Sequence, residues 1–344
     1  MTKKQYIGWG VCLWLMIACS GDEKMDSPSP QPEVTSYPIS CSVRQVNSMQ
    51  GTRALIETDA ALQAACAVTS KDAIAIWGTY TLDGSNTPTT VFTDKALVYD
   101  ASVGTNDETN QISWNYADEQ YWVKDAAYTF RACYPRGVLT GSAAGISGTY
   151  NTLTTQKDLM VTSVQVNTAT YDMSQPVPLE MNHALAAVKF VVKSADNTEL
   201  TLQSLSLSGL KTQGTFTHSS AMIPALADWT NLSGTGSYGW NGSLPFNNDA
   251  TEDVVRSYTG TSPLTTYAED GFILVIPQEN CIPKLTLKTN QKTYTDVLLH
   301  TGTTTYEPGK KYTYTVTFYP VGNVQITVVT TEWDIIDCEV DFPI

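Results

Sequence analysis

Nearly every periodic stretch of the chain alternates apolar and polar residues with period two, the repeat of a strand with one buried face. The first such stretch is 39–46, where Ile39, Cys41 and Val43 alternate with Ser40, Ser42 and Arg44. Further strands are expected over 73–80, 90–99, 111–116, 121–134 and 159–166. A second series follows over 185–193, 200–207, 214–218, 272–277, 284–288, 293–299, 312–319 and 324–331. Turn residues such as Asp83-Gly84-Ser85-Asn86 and Glu307-Pro308-Gly309 separate them. One short helix is expected over 58–68, TDAALQAACAV. Many short strands divided by turns indicate an all-β chain of β-sandwiches with Greek-key-type connections. Proline density at Gln175-Pro176-Val177-Pro178 suggests a boundary, giving two tandem domains over 37–178 and 179–344. No repeat of solenoid length is present.

Composition agrees with that pattern and narrows the function. Of the 344 residues only 16% are charged, well under the usual ~25%, and Thr, Ser and 18 Tyr take their place. These residues favour strands over surface helices. The 20 Lys+Arg against 34 Asp+Glu leave a net charge of −14. Nucleic acid and anionic headgroups both require a positive patch, so no nucleic-acid partner is expected. A multi-span membrane protein and a largely disordered chain are excluded on the same composition.

The amino terminus carries an address. Lys3 and Lys4 precede an apolar stretch over 6–18, too short to span a bilayer, so 1–18 reads as a secretion signal. Met16-Ile17-Ala18-Cys19 resembles the lipobox of bacterial lipoprotein signals, with Met16 where Leu is usual. The resemblance implies cleavage before Cys19 and a lipid on its sulfur, the one expected attachment to a membrane. The acidic residues after Cys19 resemble the export tags of surface-exposed lipoproteins in some Gram-negative bacteria. Residues 19–36 are rich in Ser, Pro, Asp and Glu and read as a flexible tether. Beyond Cys12 and Cys19, five cysteines remain (Cys41, Cys66, Cys133, Cys281, Cys338), without a C-x-x-C pair, and each is expected to be a small buried hydrophobe.

No catalytic constellation is present. His183, His218 and His300 are scattered without metal-ligand spacing, and His183 is expected to be structural. There is no G-x-S-x-G elbow. Gly234-Thr235-Gly236-Ser237-Tyr238-Gly239 matches G-x-G-x-x-G formally, but no helix follows, and a long surface loop is expected there. The acidic run 247–253 lacks EF-hand spacing and reads as a solvated loop. No enzymatic activity, cofactor or metal is expected.

Two segments stand out instead. Arg53, in Met49-Gln50-Gly51-Thr52-Arg53-Ala54-Leu55, follows the first strand in a Ser/Gln/Gly segment of the kind where proteolysis concentrates. The C-terminal stretch places Val324, Ile326 and Val328 in alternation with polar residues, then Trp333, Ile335, Ile336, Val340 and Phe342. It is either the last strand of a sandwich or a strand offered to a neighbour, since main-chain bonds and alternate side chains suit strand addition.

Several short motifs, in order, are similar to fimbrillin-family proteins, the type V pilins. They are Thr52-Arg53-Ala54, Ala75-Ile76-Trp77, Trp114 to Tyr121-Trp122, and Ala127-Tyr128-Thr129-Phe130-Arg131-Ala132-Cys133-Tyr134-Pro135. Asn182-His183-Ala184-Leu185, Leu274-Val275-Ile276-Pro277-Gln278, Gly309-Lys310-Lys311-Tyr312 and Ile326-Thr327-Val328 continue the series.

The resemblance implies tandem transthyretin-like sandwiches secreted as a lipoprotein. It implies cleavage between Arg53 and Ala54 by an Arg-specific protease and loss of the strand bearing Ile39, Cys41 and Val43. A donor strand over 324–342, with Val324, Ile326, Val328, Trp333 and Ile335, would then enter the groove of another fimbrial subunit. Arg44 is a second possible cut, but it lies inside the strand pattern. The precursor would be an outer-membrane lipoprotein exported through the periplasm, and the product part of a surface fimbrium. Two other readings stand beside this one: a tip or accessory adhesin with a host or bacterial surface ligand, and a stand-alone carbohydrate-binding lipoprotein.

Overall fold

The computed structural model describes residues 32–45, 58–102, 114–142, 144–196, 198–219, 223–247, 252–253, 272–319, 324–332 and 339–340. The all-β class expected from the alternation holds. Among these residues the strands form six sheets, with a single α-helix at Asp59–Ala65.

A seven-stranded sheet organises the first half of the chain. Its order is Cys41–Gln45, Val177–His183, Met160–Asn167, Ala126–Tyr134, Ile74–Leu82, Thr89–Tyr99 and Trp114–Asn115. Its pairings are antiparallel except the first, where residues 41–45 run parallel to 177–181. A ribbon of Val34–Pro38 with Tyr121–Val123 stands apart from this sheet. Trp122, Tyr128, Phe130, Leu62 and Met160 belong to one buried cluster. The strand Val34–Pro38 takes in the end of the stretch expected as a tether, and Val34 is 61% exposed.

The helix follows its sequence signals. The Thr58 hydroxyl accepts from the Ala61 amide at 3.0 Å, and Asp59 sits in the first turn, where the helix dipole favours an anion. It stops earlier than expected because Val68 N donates to Tyr99 O and Tyr99 N donates to Cys66 O, which draws the chain out alongside a strand.

The second half is a sandwich. One face comprises Glu252–Asp253, Ala186–Ser194, Lys310–Phe318, Val324–Glu332 and Glu339–Val340, with Phe272–Val275 also paired to Ala186–Ser194. The other comprises Tyr238–Phe246, Leu200–Ser208, Lys284–Thr289 and Thr293–Leu298. Phe190, Tyr314, Tyr238, Trp240 and Leu285 fill the space between.

The long surface loop expected around residues 234–239 is corrected here. Trp229–Thr235 and Tyr238–Phe246 are strands, and Tyr238 is buried with its hydroxyl 2.6 Å from that of Thr152. Tyr238, Trp240, Leu244 and Phe246 are the buried positions among Gly, Asn, Ser and Pro. A register shift opposite residues 202–204 absorbs the extra residues.

The halves are stitched together. Gly145–Asn151 from the first pairs with Lys211–His218 from the second, in a sheet of order Trp229–Thr235, Lys211–His218, Gly145–Asn151, Thr140–Ser142. Trp77, Cys133, Leu185, Phe216 and Ile276 share the core beneath it. The strand Val177–His183 spans both sides of the 178/179 boundary expected from proline density. At Gly141 any Cβ would lie 2.4 Å from the Trp77 indole, so glycine is required by close approach. Gly141→Ala should therefore lower stability by about 1–3 kcal/mol, the usual cost of overpacking. Denaturant unfolding tests this, and an unchanged midpoint would contradict the packing.

Candidate functional site

The first half is closed by its most N-terminal buried strand. Ile39 is 1% exposed, Cys41 0% and Val43 7%, so the alternation seen in sequence is realised as burial. These three side chains join the cluster that includes Leu62, Trp122, Leu179 and Met181. Ile39 N donates to Gln120 O at 2.7 Å, Val177 N donates to Ser40 O at 2.8 Å, and the Tyr116 hydroxyl donates to Ile39 O. Arg44 points outward and pairs with Glu180.

The strand thus lies at a sheet edge while its inward face is core. Ile39 and Val43 alone contribute on the order of 3–6 kcal/mol of apolar burial. Removing the strand would leave residues 177–181 without their parallel partner and open an apolar groove, without altering the order of the other six strands.

The far end of the groove is polar. Gln45 is buried, 4% exposed, and its backbone N donates to Asp59 Oδ1 at 2.6 Å. Its side-chain Nε2 lies 2.8 Å from His183 Nε2, and His183 Nδ1 lies 2.9 Å from Asp158 Oδ2. Sequence reasoning missed Gln45, although it continues the inward series Ile39, Cys41, Val43. The contact between Gln45 and Asp59 also brings together the two ends of segment 46–57, which contains Arg53.

The C-terminal strand Val324–Glu332 pairs along its length with Lys310–Phe318. Val324, Ile326 and Val328 are only half-buried against the second core and line a groove of about 510 Å³ with Val297, Leu298 and Leu299. Val340 pairs opposite Val328. Cys19, Arg53, Ala54, Trp333 and Ile335 lie outside the described residues.

The remaining chemical candidates are dispersed. His218 Nδ1 meets Asp228 Oδ2 at 2.9 Å, and His300 Nε2 meets the Tyr314 hydroxyl at 2.8 Å. Burial lowers the His300 pKa below the usual histidine value. Cys41, Cys66, Cys133 and Cys281 are free and buried. Burial pushes the first three thiols up to about 12 and Cys281 to about 11, which makes them poor nucleophiles. Among the described residues no group of three or more His, Cys, Asp or Glu could hold a metal ion. Nor is any helix among them long and apolar enough to cross a membrane.

The fimbrillin-like family model matches residues 52–333. The chain belongs to that family. Its fold is similar to that of a fimbrial protein from Bacteroides vulgatus, at 14% identity and a TM-score of 0.54, covering 87% of this chain and 100% of the other. A candidate cell adhesion protein from Bacteroides uniformis has 17% identity and a TM-score of 0.46 over 86% of this chain and 98% of its own. A search of curated proteins gives no match.

If the first strand closes the core as described, Ile39→Ala should cost the precursor about 2–5 kcal/mol. Ser42→Ala, on the outward side of the same strand, should stay within roughly 0.5 kcal/mol. Paired urea melts measure both, and equal effects would show that the strand is not core.

Proposed function

We propose that this fimbrillin-like chain is a non-enzymatic structural subunit of a surface fimbrium, assembled by strand exchange. It is secreted under the signal 1–18, lipidated on Cys19 and carried on the segment 19–36. An Arg-specific protease cuts between Arg53 and Ala54. The strand bearing Ile39, Cys41 and Val43 then departs with the lipid, and the 324–342 segment of another subunit takes its place. The two tandem sandwiches, read as 37–178 and 179–344, form the repeating body.

The observation that carries this reading is the position of the first strand. It is fully buried on its inner face, lies at the edge of its sheet, and precedes Arg53 in the chain, so one cut frees it. An emptied groove with an unpaired edge is costly enough to favour replacement by an equivalent strand. Val324, Ile326 and Val328 match Ile39, Cys41 and Val43 in spacing and approximate size. They are half-buried at home and would become fully buried in the groove, which gives the exchange a direction. Arg44 is the weaker cut, since it sits within a hydrogen-bonded strand and pairs with Glu180.

Treating the purified precursor with an Arg-specific endopeptidase should yield a chain beginning at Ala54 and SDS-resistant ladders on gels. Arg53→Ala should abolish both products, while Arg44→Ala should leave them intact. A protein that is cut at Arg53 and stays monomeric would overturn strand exchange.

A further inference from the structure

Any strand seated in this groove meets a polar demand at its inner end. Gln45 occupies the fourth inward position, after Ile39, Cys41 and Val43, and its amide nitrogen lies 2.8 Å from His183 Nε2. His183 is 5% exposed and Asp158 1%, with 2.9 Å between Nδ1 and the carboxylate. Assigning the amide nitrogen as the donor makes His183 Nε2 the acceptor and puts the imidazole proton on Nδ1, facing Asp158. A cut after Arg53 removes Gln45 and leaves His183 and Asp158 behind. The vacated groove therefore offers three apolar places followed by a buried acceptor.

Resting on the strand-exchange reading above, we infer that His183 is a register key for the strand of a second copy of this chain. Val324, Ile326, Val328 and Thr330 take the places of Ile39, Cys41, Val43 and Gln45, and the Thr330 hydroxyl donates to His183 Nε2. The incoming strand runs in the direction of the one it replaces, parallel to residues 177–181. The hydroxyl, shorter than the glutamine amide, reaches the ring through one bridging water.

Other registers fail on stated grounds. A two-residue slide one way puts Val328 at the fourth place, leaving a buried acceptor against a methyl group. The opposite slide puts Glu332 there, burying a second carboxylate beside the nearly inaccessible pair of His183 and Asp158. A one-residue slide puts Gln325 and Thr327 on the first two apolar places in one direction, and Asn323, Gln325 and Thr327 on all three in the other. Thr330 is exposed in its own subunit, so its hydroxyl serves no packing role there.

The test uses full-length precursor, cut with an Arg-specific endopeptidase, with ladder growth followed on SDS gels. Thr330→Val keeps the side-chain shape and removes the donor; it should slow ladder growth about tenfold, in line with a buried acceptor left unpaired. Thr330→Gln, which restores the amide found at Gln45, should assemble at least as fast as wild type. Adding His183→Leu to Thr330→Val should recover the lost rate, a rescue that a structural role for Thr330 would not produce. Should His183→Leu fail to fold, the two Thr330 variants decide the matter, because their position is exposed in the precursor. Wild-type ladders with Thr330→Val growing at an unchanged rate would overturn the register key alone. A wild-type chain that begins at Ala54 and forms no ladders would overturn strand exchange, and the key with it.

Discussion

A sheet edge normally faces solvent with one side polar and its backbone groups open to water or another strand. Here the edge strand Cys41–Gln45 covers an interior that includes Trp122 and Tyr128, both close to fully buried. The parallel ladder to residues 177–181 and the inward row from Ile39 to Gln45 therefore do two things at once. They complete the backbone pairing of Val177–His183, and they seal the core beneath it. Trp122, Leu179 and Met181 depend on that seal to stay dry. The rest of the seven-stranded sheet is self-consistent without it, since Met160–Asn167 to Thr89–Tyr99 pair among themselves. A peripheral position in the topology and a central position in the packing coincide in one short element.

The second half shows the converse arrangement. Val324–Glu332 is paired throughout with Lys310–Phe318, yet Val324, Ile326 and Val328 are only half-covered. Its backbone is satisfied while its side chains are not. The two strands thus differ in what each lacks, and between them the shared sheet of Gly145–Asn151 with Lys211–His218 ties both halves into a continuous body. Trp229 reinforces that tie by donating its indole N–H to Ala184 O at 2.9 Å, directly after the strand that borders the groove.

Much of this was legible from local pattern. Ile39, Cys41 and Val43 announced a half-buried strand, and residues 58–68 announced a short helix, because both signals act over a few residues. Other elements depend on tertiary context. Thr140–Ser142 and Gly145–Asn151 are not among the expected strands, and Gly141 and Gly148 are glycines because Trp77 and Val138 press against them. The stretch from Trp229 to Phe246 hid two strands because Gly, Asn and Pro fill its outward positions, where side-chain preference matters least. The contact between Gln45 and His183 joins residues 138 apart in sequence, and no periodicity reveals such a pairing.

That separation has a kinetic meaning. Residues 41–45 are synthesised early, but their partners at 177–181 emerge only after most of the first half has been made. Loop closure of this length is slow relative to hairpin formation, so the antiparallel strands between them are free to assemble first. The earliest residues of the sheet are consequently expected to be among the last to dock. An element that arrives after the framework around it has set is one the framework does not need in order to form. Late docking and a peripheral place in the sheet are in this way both expected from a single feature, the parallel pairing of the chain's first buried strand with one that ends its half.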